Sequence, residues 1–151
     1  MRGRIELDTN TNHAMSTTTL ESSDTDLLRR VREAYSLLLF GFVAAPILAG
    51  LDKFFHLMVD WDKYVAPFVD ALLGGYGSQF MMVAGVVEIV AGIGMWVRPR
   101  LFSYIVAAWL GGIILNLLLI PGFFDVALRD LGLLLGALAL GRLSGALPQH
   151  D

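Results

Sequence analysis

Long apolar runs separated by short polar breaks dominate this chain. They cover about 35–51, 78–97, 101–120 and 126–143. Each is close to the ~20 residues an α-helix needs to cross ~30 Å of hydrocarbon. The third run is twenty residues without a charge, which a soluble helical bundle with a wet outer face would not carry. The pattern predicts an all-α membrane protein, a four-transmembrane-helix bundle within 26–147, with an amphipathic outer segment between its first two helices.

The breaks between runs differ in kind. Residues 1–25 are polar and rich in Ser, Thr, Asn and Asp. Nothing there can pack a core, so they read as a flexible cytoplasmic tail. No short apolar segment follows a basic start, as a secretory signal requires. Ser23 or Asp24 is placed to cap a helix ahead of Leu27 and Leu28. Arg98-Pro99-Arg100 reads as a tight turn with Trp96 as its interfacial anchor, and Pro121-Gly122 as a second tight turn. The connection from Asp52 to Gly77 is longer, DKFFHLMVDWDKYVAPFVDALLGGYG. Its aromatics interleaved with charges suit short amphipathic helices that lie on the membrane or fold over the bundle. Gly74, Gly75 and Gly77 then break the chain before the second span. Gly85, Gly92 and Gly94 flank Glu88, and Gly132 and Gly136 form a GxxxG pair. Such small residues permit close helix approach, within the bundle or between copies.

Composition sharpens the picture. The chain is 56% hydrophobic and 17% charged, more apolar and less charged than soluble domains. A net charge of -3 with no basic stripe excludes a nucleic-acid partner. Cysteine is absent, which excludes disulfides, thiolate metal sites and dithiol redox chemistry. Electron chemistry would therefore need a bound cofactor or a partner protein. Arg29, Arg30, Arg32, Arg98, Arg100 and Arg142 fall on one side of the predicted bundle, against Lys53, Lys63 and Arg129 on the other. That excess predicts both termini in the cytoplasm.

Charges within a bilayer are costly, at ~2.5–3.5 kcal/mol for Asp on insertion scales, so Glu88 near the middle of the second span is the leading candidate. It must face the bundle or a wet cavity, and a charge there needs a cation or a proton. It either serves a function or ties helices together through a hydrogen bond. Asn116 lies near the outer end of the third span. Arg129 and Asp130 open the fourth, and Arg129 can pair with Asp125 at i,i+4 or reach Glu88 or Asp130. Asp52, His56 and Asp60 are spaced i, i+4, i+8, one face of a continuous helix. That row could orient a proton-transferring histidine, or be solvated charge at a helix end; it lacks the second soft ligand of a metal site. Asp52, Lys53, His56, Asn116, Arg129 and Asp130 all collect in the outer half of the bundle, with Glu88 at their floor.

These residues meet a family pattern. The chain resembles the DoxX-like family of small four-helix membrane proteins over about 32–143. The resemblance rests on GLDKFFH (Gly50 to His56), WDKYVAP (Trp61 to Pro67), VEIVAGIG (Val87 to Gly94) and the basic turn at Arg98 to Arg100. Gly50, Lys53 and Glu88 are the positions it carries over. It implies association with membrane redox systems, as a subunit of a quinone oxidoreductase or a partner in an oxidative-stress complex. The expected role is thus an accessory subunit more than a self-sufficient enzyme. Its partners would be the lipid bilayer, other membrane or oxidoreductase subunits, or a second copy. A quinone head group would enter the outer pocket, with Lys53 and His56 donating hydrogen bonds and Glu88 relaying protons. The alternatives are a structural subunit of a larger complex, or a protein that binds or transports a small amphiphile or ion.

Overall fold

The structure, a computed structural model, describes residues 2–147, with side chains from residue 23 onward. Its elements are α1 (Arg2–Phe55), a 3₁₀ turn (Trp61–Tyr64), α2 (Pro67–Leu72), α3 (Gly77–Val97), α4 (Pro99–Leu118) and α5 (Phe124–Ala146). No strand occurs among the described residues. Three of these helices are long and apolar enough to cross a membrane: Ser23–Phe55 of α1, then α3 and α4. The chain is thus an all-α protein of membrane character. The fourth expected span corresponds to α5, which is long enough to cross but carries Asp125, Arg129, Asp130 and Arg142.

Contacts divide the chain into two units, 1–36 and 37–151. In the first, helical backbone runs through the polar stretch that reads in sequence as a flexible tail. The side chains of that stretch up to residue 22 lie outside the described residues. Ser23 and Asp24 are interior to α1, so neither caps its start. Arg29 meets Asp26 at 3.3 Å with both side chains about two-thirds exposed, a pairing worth little.

The second unit distributes its residues in the manner of a protein solvated by lipid. On α3, Val83, Val86, Val90, Ile93 and Val97 are all more than half exposed. The opposite face is Ala84, Gly85, Glu88, Ala91, Gly92 and Met95, which turns inward. The spacing of both sets is helical, i, i+3, i+4 and i+7, so each forms one stripe. Branched aliphatics outside and small residues plus a carboxylate inside would be unstable in water, where an apolar stripe of this extent has to be covered. In hydrocarbon the arrangement is natural, because small residues let helices approach and large ones meet the acyl chains.

That approach is closest between α1 and α3. A Cβ on Gly50 would lie 2.5 Å from the Gly85 carbonyl oxygen, and one on Gly85 would lie 2.8 Å from that of Gly50. About two turns further along α3, a Cβ on Gly92 would meet Ile47 at 2.6 Å and the Val43 carbonyl at 2.9 Å. The tight turn between α3 and α4 has its own requirement: the Phe102 ring occupies the space a side chain at Gly94 would need. Pro99 opens α4, where its missing N–H costs nothing. Between α4 and α5, Gly141 lies against Ser103 and Tyr104. In the GxxxG pair, Gly136 faces Phe42 inside the bundle, while Gly132 meets nothing within 4 Å.

The segment between α1 and α3 folds over one end of the bundle. Ala66 is completely buried against Leu117 at the end of α4, Ile120 in the turn that follows it, and Ala127 of α5. Tyr64 packs edge-on to Phe123, with ring centroids 5.1 Å apart. The 3₁₀ turn and α2 therefore form a lid that covers the C-terminal end of α4 and the N-terminal end of α5. Asp70 of α2 accepts the backbone N–H of Gly77 at 2.9 Å, which ties the lid to the first residue of α3.

Backbone oxygens cannot move aside cheaply, so the α1–α3 contact makes a clear demand. Gly50→Ala is expected to destabilise the protein by about 1–3 kcal/mol, the range for overpacking. Gly112→Ala meets nothing within 4 Å and is expected to be neutral or slightly stabilising. Thermal unfolding of both variants in one detergent, read by loss of the monodisperse peak, checks the contrast.

Candidate functional site

The close approach of α1 and α3 determines which side chains meet next. Lys53 is one turn beyond Gly50, and Glu88 is one turn beyond Gly85. The absent side chain at Gly85 leaves room for the stem of Lys53, whose Cβ would be only 3.2 Å from an added Cβ. The Lys53 Nζ donates to Glu88 Oε2 at 2.6 Å, with the side chains 4% and 12% exposed. The cation that Glu88 requires in sequence is thus supplied by the neighbouring helix. At this separation, and shielded from water, the pair is strongly coupled, yet both charges have lost their hydration.

Trp61, the first residue of the 3₁₀ turn, closes this pair from above. The Lys53 ammonium is 3.7 Å from the Trp61 ring centroid, a cation–π contact. The indole N–H donates to Asp52 Oδ2 at 2.8 Å, so Asp52 holds the ring in place over Lys53. The other Asp52 oxygen accepts the backbone N–H groups of Leu57 and Met58, both at 2.9 Å. Asp52, itself buried, therefore stabilises the sharp reversal in which α1 ends and the lid begins.

That reversal separates the row Asp52, His56 and Asp60. Helix α1 stops at Phe55, and His56 adopts a left-handed φ of 52°. Its N–H still closes the last turn onto the Asp52 carbonyl at 2.7 Å. The three residues consequently do not share a helical face. His56 is exposed, and Asp60 caps the 3₁₀ turn by accepting from Asp62 N at 3.3 Å. No group of metal-ligating side chains gathers here or elsewhere among the described residues.

Asn116 clamps the lid. Its Nδ2 donates to the Tyr64 carbonyl at 2.6 Å, and its Oδ1 accepts the Ala66 N–H at 3.1 Å. Both faces of the amide are thereby used on backbone groups that would otherwise be unpaired on burial. Arg129 takes its local option, pairing with Asp125 at 2.5 Å on the exposed surface, and does not reach Glu88 or Asp130. Asp130 is half-buried on α5, in the electrostatic field of both Glu88 and Arg129. No hydrogen bond or ion pair engages its carboxyl among the described residues.

The structure thus joins Asp52, Lys53 and Glu88 through Trp61, and places Asp130 within the field of Glu88. Asn116 belongs to the same end through the lid, whereas His56 and Arg129 point away. Trp61 and Asp70 are absent from the candidate residues read in sequence. The signal for Trp61 was its place among lid charges, which by itself also fits an interfacial anchor. Trp109, midway along α4, buries its indole N–H with no partner among the described residues. Family models, curated proteins and solved structures provide no match to this chain.

A buried ion pair is most sensitive to losing one member. Lys53→Met leaves Glu88 without its cation and is expected to cost about 3–5 kcal/mol. The double variant Lys53→Met with Glu88→Leu removes both charges and is expected to recover most of that loss. A thermal-shift series in detergent on both variants tests this, and a double variant no better than the single would refute the pairing.

Proposed function

We propose that this chain is a DoxX-like integral membrane protein of four spans, with α5 as the fourth. In this reading it is an accessory subunit of a membrane redox system in a prokaryotic inner membrane, with both termini cytoplasmic. The observation that carries the reading is the Lys53–Glu88 pair, deep in the bundle and closed over by Trp61. Its two charges come from the positions the family resemblance carries over, and Gly50 is the third such position. Around the pair, Asp52 and Asn116 spend their hydrogen bonds on the lid. Such a self-satisfied cluster suits a rigid end on which a partner can dock. It supplies no thiol for redox chemistry, since the chain has no cysteine.

A second reading adds contact with a quinone head group, and Asp130 favours it. Its half-buried carboxyl, under the influence of Arg129 and Glu88, lacks a hydrogen-bond partner among the described residues, so in its protonated form it is the one acid of the cluster free to donate to a quinone carbonyl. Transport of a small amphiphile or ion has less support, because the polar groups are engaged with one another.

Two measurements separate these readings. Mild-detergent extraction from native membranes should yield a larger complex carrying flavin or haem absorbance, and migration only as the lone chain would sink the accessory-subunit reading. Decylubiquinone titrated into purified protein should quench Trp61 fluorescence saturably, with quenching lost in Asp130→Asn. Absence of quenching in the folded wild-type protein removes the quinone contact and leaves a structural subunit.

A further inference from the structure

The opposite end of the bundle has chemistry of its own. A cleft of about 500 Å³ opens where the α3–α4 turn meets the last turn of α5. Arg98 and Arg100 line it together with Tyr104 and Gly145, and Val97 and Leu101 form its apolar margin. Neither guanidinium has an ion-pair or hydrogen-bond partner among the described residues, whose three ion pairs all lie elsewhere. Arg100 lies along the α5 backbone: a Cβ on Gly145 would contact its Nε at 3.5 Å and Cζ at 3.6 Å. The guanidinium therefore lies beside the last turn of α5, next to the cleft.

We infer that this cleft binds the phosphate of an anionic phospholipid headgroup, through the unpaired guanidinium groups of Arg98 and Arg100. Guanidinium is suited to this task, because its fork of N–H donors matches phosphate oxygens in pairs. Tyr104 adds a hydroxyl able to bond a further oxygen. The surroundings favour a lipid over free phosphate. Trp96, Val97 and Leu101 are 76%, 69% and 52% exposed beside the arginines, so acyl chains have an apolar track leading from the cleft. Exposed tryptophan at such a boundary matches the headgroup level of a bilayer. Basic pockets between helix ends are a recurrent mode of headgroup recognition. The inference requires only the membrane character of the helices, and is independent of the redox reading and of which side faces the cytoplasm.

The test uses the full chain in detergent, incubated with short-chain phosphatidylglycerol or phosphatidylcholine and examined by native mass spectrometry. One phosphatidylglycerol should be retained in preference to phosphatidylcholine. In Arg98→Gln with Arg100→Gln, apparent affinity should fall roughly 25-fold, about fivefold for each arginine removed. Arg142→Gln, which alters an exposed arginine outside the cleft, should retain the lipid. If the double variant is not monodisperse, each single variant should still show its own fivefold loss. Equal retention of the two lipids, or retention unchanged by every cleft variant, overturns the proposal. Inorganic phosphate competing fully while neither lipid is preferred would assign the cleft to free phosphate and also overturn it.

Discussion

An ammonium and a carboxylate held 2.6 Å apart among helices with apolar outer faces is the interaction on which this structure depends. Neither charge is tolerable alone at that depth, because hydrocarbon offers no water to replace the partner. Their meeting has a steric condition. Helices α1 and α3 come close enough only because Gly50 and Gly85 each present bare backbone to the other. The electrostatic bond and the backbone contact are thus one device, with the glycines setting the distance and the pair fixing the register. Sliding α3 by a single turn would carry Glu88 away from Lys53 and place bulkier residues at the contact.

The lid follows from the same pair. Lys53 is near the end of α1, so its ammonium would be open to water if the chain simply left the membrane. Instead Asp52 turns the chain back sharply, and the returning Trp61 covers Lys53. Asn116 and the buried Ala66 then fasten the lid to the far helices. Polar residues in this region are mostly joined to each other, and Asp130 stands apart because its carboxyl feels Glu88 without a partner of its own. The two ends of the bundle therefore contrast. One is sealed by an internally satisfied network, and the other leaves two arginines unpaired around an open cleft.

Much of the architecture could be read from the pattern of apolar runs. The helical boundaries of α3 and α4 agree closely with runs at 78–97 and 101–120, since the turn at Arg98-Pro99-Arg100 punctuates them unambiguously. Short helical elements between the first two spans were also legible, from aromatics interleaved with charges. The N-terminal stretch was not, since its polar composition carries no apolar periodicity to mark the helix drawn through it. Helical spacing misled for Asp52, His56 and Asp60, because it presumes a continuous helix and α1 ends one residue before His56. A residue in the left-handed region leaves little trace in sequence when it is not glycine.

By itself, the sequence determined that this chain is helical, that it belongs in lipid, and that Glu88 must find a cation or give up its charge. Those conclusions depend on composition, run length and the cost of burying charge, which are properties of a residue and its near neighbours. Only the tertiary structure decided that Lys53 is the cation, that Trp61 covers it, and that Arg129 is spent on Asp125 at the surface. Lys53 and Glu88 are 35 residues apart in the chain. Their pairing depends on the register between two helices, which Gly50 and Gly85 set through backbone contact and which no local pattern encodes.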